Sequence, residues 1–131
     1  MKLLLDTHIW VWISLEPWRI TSEVNQALSD PANELWVSAV SVWEIVTLLE
    51  KKRVQFDEGL HSWVANTKRE LGLREAPLSF DVVLDLPFTP LKHKDPADRL
   101  LVATARILDL TLVTADTRLM RTEGVRLLAN N

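Results

Sequence analysis

The chain contains no cysteine. That excludes a disulfide framework, a zinc–thiolate site and a thiol nucleophile, and it fits a reducing, cytoplasmic setting. Glycine is scarce: three residues in 131, none in a G-x-G-x-x-G arrangement, so a dinucleotide-binding turn has no basis. The three histidines, His8, His61 and His93, show no spacing that would hold zinc and read as surface or packing residues. No stretch approaches the roughly 20 apolar residues of a membrane span. The opening M-K-L-L-L-D meets a carboxylate too early for a signal peptide, so no membrane partner is expected. Internal repeats, low-complexity tracts and domain linkers are also missing.

What remains is an ordinary globular composition, 47% hydrophobic and 25% charged. It fits one domain over residues 1–131, large enough to bury about two-thirds of its unfolded surface without staples. The formal net charge of −3 has the wrong sign for the basic footprint of a nucleic-acid binder. Setting aside five acids, Asp6, Glu44, Asp95, Asp98 and Asp116, leaves +2 for the rest. Lys51-Lys52-Arg53, Lys68-Arg69 and Lys92-His93-Lys94 are the local basic clusters, each readable as a solvated loop or helix end.

Apolar runs alternate with helical patterns along the chain. Lys2–Leu5 reads as a buried strand, ended by Asp6 and Thr7. Ile9 to Leu15 carries Ile9, Trp12 and Ile13 at helical spacing and stops before Pro17. Thr21 to Leu28 is a second helix, with a turn at Asp30-Pro31. Leu35–Ser38 is a second strand. Ala39 to Glu50 follows as a helix apolar on nearly every side except a narrow stripe of Ser41, Glu44 and Thr47. Asp57 is a cap for a helix through Leu71, ended by Gly72. Glu75–Leu78 reads as a strand, and Phe80–Leu86 as a short helix capped by Ser79. Asp95, Pro96 and Asp98 open an apolar helix, as N-cap, first helical residue and third-position acid. Thr111–Thr114 and Val125–Leu128 are the last two strands, the latter after a turn at Gly124. This alternation argues for a three-layer α/β/α sandwich around a parallel sheet of four to five strands.

In a parallel sheet every strand's C-terminal end lies on one rim. Asp6 and Asp116 follow strands; Glu44 and Asp98 lie near helix starts that open on the same rim. Capping accounts for Asp6, Asp98 or Asp116 taken singly, and a Ser41-x-x-Glu44 capping box for Glu44. Four acids on one rim repel one another, and a hard divalent ion such as Mg²⁺ or Mn²⁺ relieves that.

Four segments, L-L-L-D-T-H, S-V-W-E-I, D-P-A-D-R-L-L-V-A-T-A and L-V-T-A-D-T-R-L, resemble the acidic motifs of PIN-domain ribonucleases. They are most similar to the VapC-like toxins of type II toxin–antitoxin pairs. Order, spacing and length fit over nearly the whole chain; D-P-x-D-R-L-L is the most specific piece. The resemblance implies a PIN-like fold and an endoribonuclease with Asp6, Glu44, Asp98 and Asp116 as catalytic, metal-holding acids. Asp95 is then a helix-start residue beside them, and Thr7 and Thr114 are hydroxyl neighbours. It further implies an RNA substrate, a small antitoxin as partner and a homodimer. Hydrolysis by water would leave a 5′-phosphate and a 3′-hydroxyl. Arg99 is expected to pair with a neighbouring carboxylate rather than to meet phosphate. Trp12, Trp43 and Trp63 fall on apolar helical faces, while Trp10 and Trp18 in the first helical hairpin would form a partner patch if exposed. Two other readings stay open: a regulatory domain whose acids are only caps, and a phosphatase with Asp6 as nucleophile. The phosphatase reading lacks the second Asp that such chemistry carries two residues on, where His8 stands.

Overall fold

The strands are short, and the computed structural model, which describes residues 1–91 and 95–131, joins them in one sheet. Lys92, His93 and Lys94, with the third basic cluster they form, lie outside the described residues. The strands are β1 (Lys2–Leu5), β2 (Glu34–Ser38), β3 (Leu73–Ala76), β4 (Thr111–Thr114) and β5 (Arg126–Ala129). All neighbours pair in parallel, in the order β3-β2-β1-β4-β5. The helices are α1 (Thr7–Leu15), α2 (Ser22–Ser29), α3 (Ala39–Glu50), α4 (Leu60–Leu71), α5 (Phe80–Leu84), α6 (Pro96–Ile107) and α7 (Thr117–Met120).

The period of two along each strand sorts the core into two layers. Leu3, Leu5, Leu35, Val37 and Val113 face one side, where Ile9 and Trp10 of α1, Val24 of α2 and Trp63 of α4 cover them. Leu4, Trp36 and Leu112 face the other side, against Leu101, Val102 and Ala105 of α6. Helix α3 serves both layers, with Ile45 in the first and Val40 in the second. A sheet covered on both faces explains why β1 and β4 are buried along nearly their whole length. It is the three-layer sandwich expected from the sequence.

Several boundaries differ from that reading, each for a local reason. Strand β3 starts at Leu73, because Gly72 ends α4 in the left-handed conformation (φ +65°) and turns the chain straight into the sheet. It stops at Ala76, since Pro77 has no N–H to continue the ladder. Helix α4 begins at Leu60 with Gly59 as N-cap, so Asp57 is not its cap. Helix α5 ends at Leu84 and gives way to a 3₁₀ turn, Leu86–Phe88, around Pro87. Strand β5 is shifted by one residue, to Arg126–Ala129.

The tryptophans divide. Trp10 and Trp63 are buried, and their indole N–H groups donate to Thr67 and Ser14. Trp43, expected on an apolar face, is 56% exposed, and Trp18 is 76% exposed. Among the described residues no helix is long and apolar enough to cross a membrane.

The strand order fixes where a ligand can sit. From β1 the chain steps outward through β2 to β3, then crosses back to β4 on the other flank of β1. The reversal lies between the C-terminal ends of β1 and β4. In open parallel sheets that switch point leaves a crevice, because the connections on its two sides diverge onto opposite faces. Asp6 follows β1, and Asp116 stands two residues past β4.

Candidate metal centre

Asp6 sits where strand gives way to helix. Its backbone is extended, and its Oδ1 accepts the Thr7 N–H at 2.7 Å, so it does cap α1. It is also 6% exposed, far more deeply set than capping requires. Its Oδ2 accepts the Thr114 hydroxyl at 2.7 Å. The same Thr114 oxygen accepts the Asp116 N–H at 3.0 Å, so one buried hydroxyl ties the acids after β1 and β4 together.

Glu44 approaches from α3. That helix is capped by Ser38, whose oxygen accepts the Val40 N–H at 3.0 Å, so the Ser41–Glu44 capping box is not what forms. The Thr7 hydroxyl instead donates to Glu44 and lies 2.9 Å from Ser41 Oγ. With its one proton given to Glu44, Thr7 leaves Ser41 to act as the donor to it.

Asp98 stands in the first turn of α6 and is 6% exposed. The N-cap there is Asp95, which accepts the N–H groups of Ala97 at 3.0 Å and Asp98 at 3.2 Å. Asp98 is therefore not the cap; it is an acid buried beside one. Asp116 caps α7 through the Arg118 N–H at 2.8 Å. The Arg118 guanidinium grips both Asp116 oxygens, at 3.2 and 2.8 Å, and lies 3.5 Å from Asp98 Oδ2.

Contacts thus link all four acids: Glu44 through Thr7 to Asp6, Asp6 through Thr114 to Asp116, and Asp116 through Arg118 to Asp98. Electrostatics agree. Burial pushes the Asp6 carboxyl up from its usual range; the Thr114 hydrogen bond opposes this, and the Asp98 charge adds to it. Burial likewise lifts Glu44 to about 7, against the Thr7 hydrogen bond and with help from Asp6, Asp98 and Asp95. Each of these charges is felt at Glu44 because they share one crevice.

The donor set is all oxygen and partly buried, which suits Mg²⁺ or Mn²⁺ and not zinc. Among the described residues, however, no three acid or histidine side chains form a ready-made cage. Two observations reconcile these. The oxygens of Asp6, Glu44 and Asp116 are engaged by Thr114, Thr7 and Arg118. Mg²⁺ in any case takes one or two carboxylates and keeps much of its water, so it does not require a closed cage. The residues fit such an ion, with Asp6 and Asp98 as the most buried holders.

One expectation changes. Arg99 pairs no carboxylate among the described residues; it donates to the Leu86 carbonyl at 3.0 Å, tying α6 to the preceding 3₁₀ turn. Arg118 was not singled out from sequence, although its place two residues after Asp116 on a capping turn was the available signal. His8 is exposed, and its ring meets Trp12 at a centroid distance of 5.9 Å.

Comparison with known proteins agrees with the fold. Residues 3–125 match the family model of the PIN domain. Ribonuclease VapC22 of Mycobacterium tuberculosis is 38% identical over 120 residues, covering 89% of this chain and 88% of the relative. Among solved structures, VapBC2 from Rickettsia felis bound to a promoter DNA fragment superposes with a TM-score of 0.75 at 17% identity, covering all of both chains. A toxin-antitoxin complex from Klebsiella pneumoniae superposes with a TM-score of 0.60 at 22% identity, covering 98% of each chain. At those identities the two structures speak for the fold.

Proposed function

The chain belongs to the PIN-domain family, and from that premise we propose that it is a divalent-metal-dependent endoribonuclease, the toxin of a type II toxin–antitoxin pair. The observation that carries this is the joining of Asp6, Glu44, Asp98 and Asp116 at the β1/β4 switch point. The likeness to a ribonuclease at 38% identity supports RNA as the substrate.

Asp6 and Asp98 would hold Mg²⁺ or Mn²⁺, with Asp116 completing the site and Glu44 beside it. When bound, such an ion lowers the pKa of water and offsets charge on the phosphoryl oxygens. The protein's own part is to keep these carboxylates in place and ionised. Thr114 does so for Asp6, because its hydrogen bond favours the charged form. Thr7 opposes the shift at Glu44 in the same way, leaving its carboxyl at about 7 rather than higher. Glu44 is thereby placed to take up a proton from water near neutrality. Asp95 orients Asp98 by fixing the first turn of α6. The partners we assign are RNA, a small antitoxin and a second copy of the chain. The exposed Trp18, Trp43, Phe80 and Phe88 supply apolar surface for the protein partners.

The test is cleavage of RNA by purified protein in Mg²⁺, Mn²⁺ or EDTA, repeated with Asp98→Asn. Metal-supported cutting that falls by about 100-fold or more in the variant agrees with the reading. Equal cutting by a folded Asp98→Asn protein, or in EDTA, contradicts it.

A further inference from the structure

Among the described residues, a positive charge of the chain itself lies between Asp116 and Asp98. Arg118 grips Asp116 through both oxygens and reaches Asp98 at 3.5 Å, so its guanidinium spans two acids carried on different elements. Those acids belong to the set assigned above to a divalent ion, and the inference rests on that assignment. An ion bound by either carboxylate competes with the guanidinium for the same oxygens. The arrangement is reversible by construction. The Arg118 side chain is 58% exposed, whereas that of Asp98 is 8% exposed. The acid is fixed and the cation can swing into water. Backbone anchoring does not oppose this, because the Asp116 cap is made to the Arg118 N–H and survives departure of the side chain.

We propose that Arg118 is a built-in counter-cation that competes with the divalent metal for Asp98 and Asp116, so that loading the site requires its guanidinium to leave. It neutralises the acids while the ion is away and raises the ion concentration at which the site fills. The function is specific to position 118 and to the guanidinium fork. Lysine keeps the charge but not the two-point grip.

Titration of Mn²⁺ into wild type, Arg118→Ala, Arg118→Lys and Arg121→Ala by calorimetry tests this directly. Arg121, an exposed residue closing the same short helix, controls for the loss of one positive charge. Arg118→Ala should bind Mn²⁺ about threefold or more tightly than wild type, with Arg118→Lys between them and Arg121→Ala close to wild type. In the unmutated protein, Mg²⁺ should shift the Arg118 Nε–H resonance and speed its exchange with water. Unchanged or weaker Mn²⁺ binding by Arg118→Ala overturns the proposal, as does an Arg118 resonance that ignores Mg²⁺. Equal tightening by Arg121→Ala also overturns it, because net charge alone then explains the effect. If folded wild type binds no Mn²⁺ at all, the metal assignment itself falls; if it binds and the variants do not differ, only the role of Arg118 does.

Discussion

Replacing Glu44 by Gln should stabilise the metal-free protein in alkaline solution and do little in acid. Glu44 titrates near 4.5 in an unfolded chain and near 7 in the folded one. Between those values the folded state binds the extra proton, so stability from this group falls as pH rises from about 4.5 through 7. A fully shielded carboxyl with that difference would cost about 3 kcal/mol above pH 7. Glu44 is only partly buried, and solvent screening reduces the figure to about 1–2 kcal/mol. Glutamine keeps the oxygen that accepts from Thr7 and carries no charge, so the penalty disappears. Urea unfolding of both proteins, in EDTA, at about pH 4 and pH 8 reads the difference between them, which removes the contribution of other titrating groups. The variant should be more stable by about 1–2 kcal/mol at pH 8 and nearly equal to wild type at pH 4. A variant less stable at pH 8, or a difference that does not change with pH, refutes the reasoning. Millimolar Mg²⁺ at pH 8 should narrow the gap by stabilising wild type more than the variant.

Thr114→Val keeps the volume but removes the donor to Asp6 and the acceptor for the Asp116 N–H; unfolding free energy should fall by about 1–3 kcal/mol, and a loss under about 0.5 would contradict the role given to that hydroxyl. Gly72→Ala should cost about 1 kcal/mol from the left-handed backbone alone, since nothing lies within 4 Å of the added methyl; an unchanged urea midpoint would show that the turn is not held there.

The layers of the fold were legible because the apolar pattern changes period cleanly. L-L-L, L-W-V-S and T-L-V-T lack the strict alternation of a strand with one wet face, which fits a parallel sheet covered on both sides, and the strong caps at Ser38, Asp95 and Gly72 mark the ends of elements. The boundaries that moved turn on local details whose outcome the sheet decides. Gly72 ends α4 by its left-handed turn, but that Leu73 enters a strand at once also needs its pairing with Leu35. The acids were legible as types at strand and helix ends, but their roles were not. Asp6, Asp95 and Asp116 cap helices and lie in the crevice at once, so sequence offered two explanations where the structure has both. The pairing of Arg99 failed for a directional reason: adjacent residues on a helix do not face each other, so Arg99 points to Leu86 while Asp98 points to Arg118. The exposure of Trp43 could not be read from an apolar helix whose two sides serve different layers.

The most direct measurement is anomalous diffraction at the manganese edge from crystals of this protein soaked in Mn²⁺. The account requires a peak in the crevice at the ends of β1 and β4, within coordination distance of Asp6 or Asp98 and with the Arg118 guanidinium displaced. A peak elsewhere on the surface, or an empty crevice in crystals whose dissolved protein still cuts RNA, would contradict it.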